Sequence, residues 1–409
     1  MSDIDAAKSV KSRIAGLKRG RRFIEYRDSN AFALELERLL DNIDRIAESP
    51  REGVELVAAF IRTDNAVLGR ADDSDGSIGD VYRIFACDSF VRHASQCEDK
   101  EWLYNVLLKL YAGDENGVRD SLIAAAACFL PESYLRRMVD EFWSSGEKET
   151  DEFRRYHWYL PIEAVARQLK DPALFERACR AKWPELPVAG HLDIAEVYLE
   201  SGQASVALEW LDSVPSAEKF LLDERERLLL RALLALDDRV RAEEVAWRIF
   251  RRSRSDETLL LLLDAVGANE RHRIIESEVA AILQSPNLGY VDASFLMELE
   301  RFDDAERYLA ERAAQLTGDY YYHLKPWAMA FERQERFIVA SILYRALLDS
   351  ILRRGISKYY TYGVRYLRKL DDLALHIDNW GETGSHDDYK LGLRVEHKLK
   401  RSFWGRYDG

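Results

Sequence analysis

Apolar residues recur at three- and four-residue steps along almost the whole chain, a pattern that predicts helices and offers no convincing strand. Over residues 31–47 the series is Phe32, Leu36, Leu39, Leu40, Ile43 and Ile46, with Ser29 or Asn30 as its cap and Ser49-Pro50 as its stop. A second helix is expected over 51–68. The polar run 72–80 (DDSDGSIGD) breaks the pattern, which resumes over 78–97. Further helices are expected over 100–112, 117–129, 131–143 and 153–169. Between them, 144–152 (SSGEKETDE) has no hydrophobic residue and reads as a solvated loop, the best boundary in the chain.

Beyond residue 190 the pattern repeats. In IAEVYLESGQASVALEWLDSVP (194–215), Ala195, Tyr198, Gly202, Ala207 and Leu211 stand at offsets 0, 3, 7, 12 and 16. The same offsets select Ala293, Leu296, Glu300, Ala305 and Leu309, and again Ala328, Phe331, Glu335, Ala340 and Tyr344. Ala305 and Ala340 are 35 residues apart, as are Ala207 and Ala242 in the looser unit 228–250. This resembles the tetratricopeptide helix–turn–helix, whose small residues let two helices approach while large ones fill the gap to the next pair. Two of the three units lack the turn glycine and are degenerate. The expected fold is all-α: an N-terminal helical region over 1–150, then a tetratricopeptide-like superhelix over 151–409. Over 389–404, Leu391, Val395, Leu399 and Phe403 read as the buried stripe of a capping helix.

Composition narrows the class. Of 409 residues, 47% are hydrophobic and only nine are Pro, which excludes collagen-like, disulfide-scaffold and disordered chains. Cys87, Cys97, Cys128 and Cys179 form no CxxC or CxC pair and read as reduced, mostly buried thiols of a cytoplasmic protein. Residues 1–16 lack an apolar stretch of the secretory type, no apolar run approaches the length of a bilayer span, and the five leucines at 259–263 end at Asp264. No membrane span is expected. The net charge of −13 is uneven: residues 1–27 carry +5, 351–370 carry +6 and 389–409 carry +4, leaving −28 on the rest.

Three strings carry a family resemblance: TDNAVLGRADDSDGSIGD (63–80), ILYRALLDSILRRGISKYYTYGVRYLRKL (342–370) and HDDYKLGLRVEHKLKRSFW (386–404). Together they resemble an uncharacterised family of bacterial helical-repeat proteins. The C-terminal helices are also similar to those of some SWIM zinc-finger proteins. The resemblance implies a helical fold and brings no activity. A SWIM finger needs a CxC and a CxH pair, both absent here, so its zinc does not transfer.

Little in the sequence promises chemistry. Asp72, Asp73, Asp75 and Asp80 form an acidic loop, yet an EF-hand register centred on Gly76 puts Ala71 and Tyr82 at the two anchoring positions. A looser metal site is one reading of this loop; a capped inter-helix turn with Ser77 or Asp80 at the next helix is the other. His93 and Cys97 share a helix face as a packing pair or two metal ligands. The remaining histidines are scattered, with no HExxH, phosphate loop or nucleophile elbow. No catalytic constellation and no cofactor are expected.

The leading expectation is a non-catalytic scaffold for a protein or peptide. Its groove residues would be Tyr198, Tyr320, Tyr321, Tyr322, Lys325, Trp327 and Tyr360, because aromatic and basic residues anchor such surfaces. The alternative is a nucleic-acid-associated regulator. It would bind anions through Arg353, Arg354, Lys358, Arg365, Arg368 and Lys369, interleaved with Tyr359, Tyr360, Tyr362 and Tyr366. Against it, Tyr359, Tyr362 and Tyr366 at helical steps read as one packed stripe, with the cations paired to the acids that follow. A metal-dependent enzyme built on 72–80 is the third reading. The sequence leaves the oligomeric state open.

Overall fold

A computed structural model describes residues 3–183 and 185–409, without the side chains of 3–7 and 152–154. The first residues of the 1–16 segment thus lie outside the described residues. The fold is all-α, with no strand among the described residues. The one extended pairing is a bridge between Ile24 and Ala71, in which the Ile24 amide donates to the Arg70 carbonyl at 2.9 Å. The chain divides into two compact units, 1–228 and 229–409, at a point inside the helix Leu222–Ala235.

In the first unit the helix Tyr26–Ile46 buries Ala33, Leu36, Leu39, Leu40 and Ile43, as its periodicity requires. It begins earlier than expected. Ser29 is buried inside it, its hydroxyl donating back to the Tyr26 carbonyl at 2.7 Å rather than capping the helix. Ser49 opens the next helix, Pro50–Ile61, accepting from the Glu52 amide with Pro50 in the first turn. That helix stops at Ile61 and a short one, Asp64–Leu68, follows, because Asp64 turns to a buried partner. Arg119 donates from Nε and Nη2 to its two oxygens at 2.7 and 2.6 Å, and from Nη1 to the Leu110 carbonyl at 2.6 Å. His93 bonds Asp44 at 2.9 Å and lies flat over Gly53, where a Cβ would come within 2.3 Å of its ring. It is a packing residue, while Cys97 is buried. Cys87 and Cys179 are buried too, and Cys128 is exposed.

The expected loop at 144–152 is mostly helix. Glu132–Lys148 continues through it because Gly146 faces the Tyr159 ring, and the chain turns only at 149–151 into Glu152–Leu169, which packs along it. Pro172–Lys182 then packs on Glu152–Leu169, and Val188–Glu200 pairs with Ala204–Ser213.

In the second unit, Arg239–Arg252 pairs with Asp256–Val266 and Tyr290–Glu298 with Phe302–Glu311. The long helix Phe337–Arg354 lies between Tyr321–Arg333 and Tyr360–Ala374 and buries eleven of its residues. Asp238 caps its helix through the Arg241 amide, and Ser255 with Thr258 forms a capping box.

One turn recurs in both units. Lys170, Gly202, Asp237, Glu300 and Glu335 all adopt left-handed φ, between 51° and 76°. The next amide in each case reaches back five residues: Asp171 to Ala166, Gln203 to Tyr198, Asp238 to Leu233, Arg301 to Leu296 and Arg336 to Phe331, at 2.9–3.0 Å. This is the Schellman closure, normally completed by glycine. Here four of five turns carry a side chain in a conformation that costs it about 1–2 kcal/mol. The offset residues are buried as the spacing requires, Ala195, Ala207, Leu296, Ala305, Phe331 and Ala340 among them.

The C-terminal expectation fails in register. Residues 389–404 form two helices, His386–Glu396 and Arg401–Asp408, separated near Lys400. His386 and Leu393 face the core, with Phe403 and Trp404 beyond, whereas Leu391, Val395 and Leu399 are 65%, 68% and 82% exposed. The tyrosine stripe of Tyr360–Ala374 is displaced in the same way: Tyr360, Val364, Leu367 and Leu370 are buried, and Tyr359 and Tyr362 are exposed.

Candidate functional site

An exposed aromatic surface is built where the second unit's chain enters Tyr321–Arg333. Gly318 presses this entry onto Phe337–Arg354, where a Cβ would lie 2.6 Å from the Ala346 carbonyl oxygen. Asp319 clamps it, accepting from the Ser350 hydroxyl at 2.9 Å and the Arg354 guanidinium at 2.5 Å. These bonds hold the Asp319 carboxyl below the usual carboxylate range.

The clamp sets the rings. Tyr320 leans on Tyr290, the rings tilted by 31° with centroids 4.2 Å apart, and Tyr290 fixes the loop by accepting from the Thr317 amide at 3.1 Å. Trp327 lies beneath, 6.0 Å from Tyr290 and 5.2 Å from His323, and Tyr322 leans on His323 at 4.5 Å. Trp327 is buried as a floor, while the rim residues Tyr320, Tyr321 and Tyr322 are 40%, 62% and 56% exposed. Lys325 is exposed on the same helix. Burial raises the Tyr290 hydroxyl above its ordinary value, with Tyr320 and Asp319 adding to it. The exposed ring faces suit apolar, aromatic or cationic side chains.

The other two expected groove residues lie apart from it. Tyr198 belongs to the first unit and is buried, its hydroxyl donating to Glu176 at 2.8 Å; burial pushes that hydroxyl up to about 12. Tyr360 is buried against Phe403.

The anion residues are partly spent inside the unit. Lys369 pairs with Glu332 at 2.9 Å, Arg354 with Asp319, and Arg368 donates to the carbonyls of Arg406 and Tyr407. The partners are not the acids that follow in sequence. Lys358 and Arg365 instead lie over Tyr359 and Tyr362, at 4.9 and 5.9 Å, with no ion pair among the described residues. Arg353 is exposed at the mouth of a 280 Å³ pocket with Asp349, Tyr389, Glu396 and His397.

The acidic loop turns its carboxylates on its own backbone. Asp73 accepts from the amides of Ile78 and Gly79 at 2.8 Å, making it the cap expected of Ser77 or Asp80. Asp75 accepts from the Ser77 amide, which lowers its carboxyl, and Asp72 accepts from Ser74. Asp80 pairs with Arg83. No three acidic, His or Cys side chains among the described residues converge as metal ligands.

Sequence reading passed over a cleft of about 850 Å³ in the first unit, lined by Glu176, Arg180, Trp183, His191, Trp210 and Ser213 among others. His191 Nδ1 lies 2.8 Å from Ser213 Oγ. That hydroxyl proton goes to the Trp210 carbonyl at 2.6 Å, so the imidazole donates to the serine and does not activate it. Burial, then Arg180, lowers the His191 pKa and keeps the ring neutral. The only signal in sequence was a spacing of 22 residues across one helix pair.

No described helix is long and apolar enough to cross a membrane. A family model described as "Family of unknown function (DUF6880)" matches residues 2–183 and 185–406. No curated protein and no solved structure matches the chain.

Proposed function

We propose that this chain, which belongs to the DUF6880 family of unknown function, is a non-catalytic scaffold that binds a protein or peptide at the Tyr320–Trp327 surface. The observation that carries this reading is the clamped entry at Gly318 and Asp319, which holds three exposed tyrosines over a tryptophan floor. Fixing exposed rings at a glycine-dependent contact brings no burial to the fold, whereas rigid aromatic rims bind with little loss of side-chain entropy. The reading extends to a tetratricopeptide-like, superhelical arrangement of the helix pairs. Its support is the recurring Schellman turn and the buried small residues at the repeat offsets. A cytoplasmic setting accords with free cysteines, three of them buried.

The test compares affinity capture by the wild-type chain and by a Tyr321→Ser/Tyr322→Ser variant of equal melting temperature. The reading expects a protein whose recovery falls at least tenfold with the variant. Identical recovery profiles would refute it.

A second reading, anion or nucleic-acid binding at 351–370, is favoured by Lys358 and Arg365, whose charges no carboxylate neutralises among the described residues. It requires affinity for single-stranded RNA that drops steeply from ~50 to ~200 mM salt and further with Lys358→Ala/Arg365→Ala. A salt-independent or absent signal eliminates it.

A further inference from the structure

The helix His386–Glu396 is fastened to the second unit by one face only. His386 and Lys390 both reach Asp371, at 2.8 and 2.6 Å, Tyr389 donates to Asp349 at 2.6 Å, and Leu393 is buried. The opposite face carries Leu391 and Val395, and Leu399 follows four residues on in the turn past the helix end; all three are more than 60% exposed. Gly392 lies beside this stripe, and a Cβ there would meet nothing within 4 Å. A glycine in a helix interior is unfavourable, and no neighbour within the chain requires this one; it leaves room for a second helix backbone to come close.

The flanking charges say which helix. The first turn holds Asp387 and Asp388, and the chain just past the helix holds Lys398 and Lys400. A parallel copy would set acid on acid and base on base. An antiparallel copy sets Asp387 and Asp388 against Lys398 and Lys400 twice, once at each end of a two-fold axis, with Val395 near its centre. The helix and the turn that follows it complement themselves in this way and need no second surface.

We propose that this face is a homodimer contact: two copies of the chain pair antiparallel through Leu391, Val395 and Leu399, registered by the acidic and basic ends. The contact is independent of the aromatic rim. With three apolar side chains from each copy the contact is small, and it forms a reversible dimer whose population rises with concentration.

Sedimentation equilibrium of the full chain over roughly 1–500 µM tests it. The expected result is a monomer–dimer equilibrium abolished by Val395→Glu and by Leu399→Glu, each variant keeping the wild-type circular dichroism and melting temperature. A monomer throughout the range, or a dimer indifferent to both substitutions, overturns the proposal. The charge register has its own test. Asp387→Lys/Asp388→Lys and Lys398→Glu/Lys400→Glu variants should each be monomeric, and an equimolar mixture should restore the dimer. If the mixture stays monomeric while the wild type dimerises, the antiparallel pairing is wrong.

Discussion

Removing one partner of the Asp64–Arg119 pair should be the most damaging single substitution of a polar side chain in the first unit. The two side chains are 0% and 3% exposed, joined by two hydrogen bonds of 2.6–2.7 Å, with a third from Arg119 to the Leu110 carbonyl. At an effective dielectric of about 20 and charge centres ~4 Å apart, the attraction is about 4 kcal/mol. Asp64→Ala leaves the guanidinium buried without its counter-ion, for which losses of about 3–5 kcal/mol are typical. Arg62, whose own pKa burial and Arg119 already depress, would then face an unneutralised Arg119. Replacing both, as Asp64→Leu/Arg119→Met, removes the charges together and should recover most of the loss, because the desolvation cost disappears with the attraction. Urea denaturation followed by circular dichroism, with a transition fitted for each compact unit, measures all three. An Asp64→Ala loss below ~1 kcal/mol, the value of a solvated pair, would refute the reasoning. A double variant no better than Asp64→Ala would refute it equally.

Three other outcomes follow from local geometry. Glu335→Gly should stabilise the second unit by about 0.5–1 kcal/mol by relieving a left-handed side chain, whereas Gly202→Ala should cost about 1 kcal/mol at the matching turn; thermal melts of both decide it. Gly53→Ala gains about 1 kcal/mol of helix propensity but drives a methyl into the His93 ring, so a net loss of about 1–2 kcal/mol is expected in denaturant titration. Burial raises the Asp349 carboxyl above its unfolded value, so its protonated form favours the fold and that contribution disappears as pH rises through the raised value. Asp349→Asn should therefore be more stable than wild type at pH 7, with the advantage gone near pH 3, in melts across that range.

The periodicity made the helices legible, and the repeat offsets identified true burial positions: Ala195, Leu296 and Phe331 lie where their spacing demands. Which face of a helix is buried was less legible wherever two faces are both apolar. Leu391, Val395 and Leu399 form as good a stripe as the face that carries Leu393, and only the long-range bonds to Asp371 and Asp349 select the latter. The same ambiguity displaced the tyrosines of 359–366. Long-range polar pairing was illegible, since Arg119 finds Asp64 across 55 residues. The acidic loop was ambiguous in sequence because carboxylates serve equally as metal ligands and as amide acceptors; in the fold Asp73 turns both oxygens to the amides of Ile78 and Gly79. Of the candidate surface, Tyr320, Tyr321, Tyr322 and Trp327 were legible as an aromatic run. Tyr290 and the Gly318 contact, which give the rim its rigidity, depend on packing between helices.

The central claim is tested most directly by placing a photo-crosslinking benzophenone amino acid at Tyr321 and irradiating the full chain in its native cells. The account predicts a discrete protein adduct from Tyr321 that is missing when the same group replaces Phe220, which is equally exposed at 62% but lies in the other unit. No adduct at Tyr321, or the same adducts from both positions, would contradict it.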